Sequence, residues 1–458
     1  MSAVPTSTRK STGPWATLWN TLAPALLAAF RLYARRDEKA AGYFEIRQDL
    51  DARLTEIAAA APGAPRVLVH AASVGETLMA MPILATLTDR GFRAALSYTS
   101  VSVARNMPKN IRAEIILPAP FDAPRPVRAW LDAVRPAAVI FSTYDVWPGF
   151  ASECARRGLP MAMVNAQLPA ASGRLKFPAR AFYRRLYGLL DAVGAAAPED
   201  AARFESIGLA GRGAVTGNCR FDQTIARCRA VTDNDPDLSL VARASGGTGI
   251  LPVSSDHGLE GHATLVGGSV WPEDLSRLLP VLGRLMAERP DLRAVLAPHE
   301  INEDHVSEPE KFFQGLGIGT VRWSALKKGA AAERVVIVDA LGVLYKLYKR
   351  GTVAYVGGSF RKEIHSVMEP AGMGLPVLMG PMHGNSPEAL EMKAAGGAVA
   401  VADEAGLEAA LRNWLDDEAA RADAAAKAFA VVDRNAGATG RTMDLIRPLL
   451  PVARASCP

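Results

Sequence analysis

Three polar side chains follow apolar runs closely enough to do chemistry at the edge of a sheet. The segment His70-Ala71-Ala72-Ser73-Val74-Gly75-Glu76-Thr77 leaves one such run, passes a glycine and enters a helical pattern. A carboxylate there lies at the carboxyl edge of a parallel sheet, where ligands bind. Glu76 could take a proton from an attacking hydroxyl; an acidic residue in a first helical turn is equally favoured by the helix dipole alone. Asp145, within Tyr144-Asp145-Val146-Trp147-Pro148, either lines the same cleft or caps a helix beginning near Pro148. Arg220, within Thr216-Gly217-Asn218-Cys219-Arg220-Phe221-Asp222, either offsets charge on a departing phosphate or is a surface cation beside Asp222.

The second half of the chain carries groups suited to a nucleotide. From Thr352 to Asn385 the pattern reads strand, glycine turn, helix, strand. Val353 to Val356 breaks at Gly357-Gly358-Ser359, an amphipathic segment places His365 and Glu369 on one helical face, and Gly374 ends it before Pro376 to Met379. Glycines let a ligand approach the backbone, and a helix start offers free N–H groups to a phosphate. The same pattern also fits a plain glycine turn between packed elements. Upstream, Gly267-Gly268-Ser269-Val270-Trp271-Pro272-Glu273-Asp274 sets the Ser269 hydroxyl before an acidic helix start, and His299 follows Pro298 at another strand end, to meet a base or phosphate or to serve the fold. Asp339 to Leu344 forms a further rim loop.

The elements that must position these groups alternate in two series. Apolar runs fall at 67–69, 94–96, 115–117, 138–141, 161–164, 192–195 and 213–216, with helical stretches such as Thr77–Arg90 and Pro178–Leu190 among them. A second series falls at 264–267, 294–297, 335–338, 353–356, 377–379 and 398–401, before an alanine-rich helical tail. This is the rhythm of α/β domains with doubly wound parallel sheets. The expected plan is a tail and membrane-anchor helix over 1–40, a Rossmann-like domain over 41–231, a linker with an insertion over 232–262, a second Rossmann-like domain over 263–435, and a C-terminal helix and tail over 436–458. The linker shows no usable periodicity, and its Asp233-Asn234-Asp235 triplet reads as solvated loop.

Composition removes several classes of function. A 49% hydrophobic, 22% charged chain of 458 residues is globular, and a net charge of +5 without a basic cluster does not suit nucleic acid. Cys154, Cys219, Cys228 and Cys457 form neither a metal-like pairing nor a disulfide framework, which fits a reducing compartment. Trp15 to Phe30 is mostly apolar and is followed by Arg31, Arg35, Arg36 and Lys39. That order fits an uncleaved anchor with its cationic end in the cytoplasm, either crossing the bilayer or lying in its plane; the same run also fits an ordinary amphipathic helix docked on the protein.

Taken together the segments resemble the 3-deoxy-D-manno-octulosonic acid (Kdo) transferases of lipopolysaccharide synthesis. KAAGYFEIR, HAASVGE, LSYTS, YDVWP, TGNCRFD, GGSVWPED, APHEI, VDALGVLYKLY and VGGSF…IHSVMEPAGMGLPVLMGP…N follow in the family's order. The resemblance implies a GT-B glycosyltransferase on the cytoplasmic face of the inner membrane, its two domains facing a cleft. It implies transfer of Kdo from CMP-Kdo to a lipid A precursor with inversion, without a bound metal or other cofactor. It puts the proton acceptor on Glu76 and transition-state stabilisation on Asp145 and Arg220. CMP contacts would come from Pro298, His299, Gly342, Val343, Leu344, Ser366, Val367, Met368 and Glu369, with Ser269, His365 and Asn385 beside them. Asp145 stands where most members have a longer glutamate, and Val343 where many have glutamate. The rival expectations are another sugar-nucleotide enzyme, a UDP-sugar transferase or epimerase, and a catalytically inactive nucleotide-binding homologue.

Overall fold

The computed structural model describes residues 13–60, 66–108, 110–209, 211–243 and 262–451. The expectations for the first twelve residues, for most of the insertion and for Cys457 lie outside them. The chain divides into two compact units, one formed by the residues up to Gln223 together with those from Gly437, the other by Thr224–Ala436.

The first unit is built on seven parallel strands: β1 Arg66–His70, β2 Arg93–Tyr98, β3 Ile115–Pro118, β4 Pro136–Ser142, β5 Met161–Ala166, β6 Ala192–Ala195 and β7 Gly213–Val215. Their order is β3-β2-β1-β4-β5-β6-β7. Both faces are covered, so the strands read as unbroken apolar runs rather than as alternating ones. In β4, Val139 and Phe141 point into one core with Trp130 and Tyr187, while Ala138 and Ile140 point into the other with Ile83 and Leu84.

The second unit repeats the plan with β8 Thr264–Val270, β9 Arg293–Pro298, β10 Thr320–Arg322, β11 Val335–Ile337, β12 Val353–Val356, β13 Val377–Met379 and β14 Ala398–Ala400. Its order is β10-β11-β9-β8-β12-β13-β14. Parallel sheets of this kind bind ligands where the strand order reverses, outside the carboxyl ends of the strands. Those points fall between β1 and β4 in the first sheet and between β8 and β12 in the second.

Several local expectations change. Within 232–262, Pro236–Arg243 is a helix, and Leu238 and Val241 are buried in the second unit's core. The Asp233-Asn234-Asp235 triplet is not solvated loop: Asp233 pairs with Lys349 at 3.4 Å and Asp235 with Lys346 at 2.9 Å. The segment holding His365 and Glu369 is not one helix. Only Met368–Gly372 is helical, because Asn385 braces the preceding loop through both sides of its amide. Its Oδ1 accepts from Ile364 N–H and its Nδ2 donates to Ile364 O, each at 3.0 Å. The N-terminal helix is Gly13–Tyr33, and among the described residues no helix is long and apolar enough to cross a membrane. The helix Ala438–Ile446 packs on the first sheet through Ala438, Met443 and Ile446.

Candidate active site

The turn after β1 explains how Glu76 is held. Ser73 caps the helix Val74–Asp89, its Oγ accepting from Glu76 N–H at 3.3 Å. The Glu76 side chain reaches back so that Oε2 accepts from Ala72 N–H at 2.6 Å. Glu76 is therefore a first-turn acid and also a group at the β1/β4 switch point. It is 9% exposed. Burial raises its pKa to about 7, the Ala72 N–H opposes that rise, and the negative charge of Asp145 adds to it. A carboxylate tuned in this way is half-ionised near neutral pH, as a general base requires.

Asp145 does not cap the helix Pro148–Arg156. The free N–H groups of Gly149 and Phe150 go instead to Asp122, at 2.8 and 2.7 Å. Asp145 stays half-buried after β4, its pKa raised by burial against the pull of Arg174. That arginine was not anticipated from the sequence. Its guanidinium lies 4.4 Å from the ring centre of Tyr144 and 5.2 Å from that of Tyr183, and its buried Nε has no hydrogen-bond partner among the described residues. Arg220 opens the helix Arg220–Ala230, its own N–H donating to Asn218 Oδ1 at 2.9 Å. Asp222 does not accompany it as a surface pair, for both Asp222 oxygens accept from Gly437 and Thr439 N–H at 2.6 Å.

Beside these loops lies a cavity of about 10 Å³, whose lining includes Tyr43, His70, Thr99, Asp122 and Trp147. His70 Nε2, Thr99 Oγ1 and Trp147 Nε1 line it without a hydrogen-bond partner among the described residues. Burial, and then the charge of Arg47, pushes the His70 pKa down to about 4, so its ring is neutral.

In the second unit one buried carboxylate ties the β8 and β12 exits together. Asp274, fully buried on the helix Pro272–Glu288, accepts from Trp271 N–H at 2.9 Å, Tyr355 O–H at 2.8 Å and Gly358 N–H at 2.8 Å. Nothing in the sequence pattern marked it beyond an acidic helix start. Ser269 is in the left-handed region at φ +53° where β8 shifts register, a conformation that costs energy and collects at functional sites. Gly357 packs directly on the Ser269 carbonyl, and Gly358 is left-handed at φ +95°, where a side chain would also strike Glu363 O.

His299 and His365 come together on this rim. Their rings stack with centres 4.2 Å apart, and His299 stacks on Trp271 at 4.4 Å. Pro298 ends β9 just before them. Ser366 O–H donates to Glu369, which also faces Arg227 at 3.8 Å. Val367 and Met368 are buried at the start of their short helix. Gly342, left-handed at φ +80°, and Val343 lead into the helix Leu344–Leu347. Asn385 is spent on the backbone of Ile364, so it shapes the loop that carries His365.

Residues 48–223 match the family model of the 3-deoxy-D-manno-octulosonic-acid transferases. The chain is 28% identical to a 3-deoxy-D-manno-octulosonic acid transferase of Bordetella pertussis, over 91% of this chain and 95% of that one. It is 26% identical to the enzyme of that name from Chlamydophila psittaci, over 85% and 86% of the two chains. Among solved structures, a UDP-GlcNAc 2-epimerase from Neisseria meningitidis shares the fold with a TM-score of 0.58 at 12% identity, over 83% of this chain and 99% of that one.

Proposed function

We propose that this chain, a glycosyltransferase of the Kdo-transferase family, moves Kdo from CMP-Kdo to a sugar hydroxyl of a lipid A precursor with inversion. The observation that carries the mechanism is the buried Glu76 carboxylate, raised to about 7 at the first sheet's switch point, inside the segment that matches the family. Glu76 takes the proton of the acceptor hydroxyl as its oxygen bonds to the anomeric carbon of Kdo. The bond from that carbon to the phosphate oxygen breaks, and CMP leaves with the electron pair. Asp145 keeps Glu76 basic through its charge, and the positive charge of Arg174 favours the ionised Asp145. In the second unit the rim of Ser269, His299, Gly342–Leu344 and His365–Glu369 holds the cytidylate, with fixed N–H groups offsetting the leaving charge. The scheme calls on no metal or other cofactor.

The protein is incubated with CMP-Kdo and a tetra-acylated disaccharide acceptor, and the product is weighed by mass spectrometry. The acceptor gains whole Kdo units as CMP appears. Consumption of UDP-sugars in place of CMP-Kdo would overturn the reading.

The N-terminal helix supports action at a membrane surface. Leu18, Leu22 and Leu26 recur every fourth residue and are 61%, 48% and 55% exposed, while Ala16 and Ala23 face the protein. Arg31, Arg35, Arg36 and Lys39 are exposed at its end. An apolar stripe with cations beside it lies in the plane of an anionic bilayer. Changing Leu22 and Leu26 together to serine lowers binding to phosphatidylglycerol-containing vesicles roughly tenfold, as sedimentation measures, because buried leucine surface is lost. Unchanged binding would remove this helix from the contact.

A further inference from the structure

We propose that Trp271 is a positioning residue of the nucleotide site, fixing the His365 ring in the neutral tautomer whose proton sits on Nδ1. The inference rests on the reading that the second unit holds the cytidylate. An indole N–H has a proton to give and no lone pair with which to receive one. Trp271 Nε1 lies 3.0 Å from His365 Nε2, so that nitrogen must offer its lone pair. A neutral imidazole accepting there carries its single proton on the other nitrogen. Nδ1 makes no hydrogen bond among the described residues, which leaves its N–H as a donor for an acceptor oxygen of the cytidylate.

The surroundings hold both rings in this relation. His299 stacks on His365 with ring planes 15° apart. The His365 backbone N–H donates to Gly357 O at 3.2 Å, and a Cβ on Gly358 would stand 3.0 Å from His365 Cδ2. Trp271 is fixed in turn by its backbone bond to Asp274 at 2.9 Å. Its ring stacks on His299 26° from parallel and carries the Arg361 guanidinium 3.8 Å from its centre. Protonating His365 would turn two N–H donors against each other across the 3.0 Å contact. Burial, and then His299, already push its pKa down to about 4. The other charged or titratable groups around the stack are Arg361, Glu300 and His305.

Nitrogen-15 NMR on the full chain with labelled histidine reads the tautomer directly. There are seven histidines to resolve, and His365→Gln assigns the signal. The expected spectrum shows a protonated Nδ1 and a lone-pair Nε2 at His365. Trp271→Phe, which keeps a stacking ring but has no N–H, moves the population toward protonated Nε2. In calorimetric titration with CMP, Trp271→Phe and His365→Gln each weaken binding about tenfold, the size of one lost hydrogen bond. The double variant binds no more weakly than His365→Gln alone, because both changes remove the same donor. A wild-type His365 protonated on Nε2, or losses that add in the double variant, would overturn the proposal. A wild-type protein that binds no CMP defeats the cytidylate reading, while the tautomer still decides the role of Trp271.

Discussion

Glu76→Gln lowers transfer from CMP-Kdo roughly a thousandfold, the scale of a lost general base, while CMP affinity stays at the wild-type value. The substitution keeps the size of the side chain and the carbonyl that accepts from Ala72 N–H. What it removes is the ability to receive a proton. In the wild type, kcat/KM rises with pH along a limb centred near 7, because Glu76 must be ionised to act and its pKa is raised to about 7. Asp145→Asn moves that limb to lower pH by taking away a negative neighbour, and Glu76→Gln abolishes it. The same group has a signature in stability. The folded chain binds the Glu76 proton more tightly than the unfolded chain, whose glutamate titrates near 4.5. Between about 4.5 and 7 the folded state holds more protons, so stability falls as pH rises through that window. Glu76→Gln flattens this slope. Full transfer activity in Glu76→Gln would remove it from the chemistry.

Asp274→Ala destabilises the second unit by about 3 kcal/mol, the cost of stranding hydrogen-bonding groups inside a core, and abolishes CMP binding. Three donors meet this one carboxylate: Trp271 and Gly358 N–H on Oδ2 and Tyr355 O–H on Oδ1. Removing it leaves two backbone N–H groups without an acceptor at the β8 and β12 exits. Asp274→Asn is milder, at about 1 kcal/mol, because one amide oxygen can still serve both backbone groups while the amide nitrogen donates to a reoriented Tyr355 hydroxyl. Hydrogen exchange at the Trp271 and Gly358 amides reads both losses locally. Equal exchange rates in the alanine variant and the wild type would show that the carboxylate does not hold these loops.

The two sheets were legible because their central strands are buried on both faces and so appear as apolar runs closed by turns. β10 was the exception: Thr320–Arg322 offers only Val321 as an apolar residue, too little for any pattern to register. The ordered motifs, through their family resemblance, pointed to Glu76 and to the second-sheet rim. Partners were harder to see. Asp145 reads as a natural cap for Pro148, yet Asp122, 27 residues before Gly149, takes that role. His365 and Glu369 have helical spacing, but Asn385, 21 residues beyond Ile364, pins the loop open. Arg174 comes near enough to act on Asp145 through its charge because a single-turn helix lays it over Tyr144 and Tyr183. In each case a hydrogen bond or ring contact across the fold outweighs a local preference worth only tenths of a kcal/mol per residue.

The helix Ala438–Ile446 completes a unit whose strands all precede residue 216. A ribosome that has finished those strands has therefore still to translate the entire second unit before the piece that seals them emerges. Through that interval the nascent chain displays the apolar patch that Met443 and Ile446 later cover, beside Ile83 and Leu84. A protease that clipped the chain after Ala436 would damage the half that was made first.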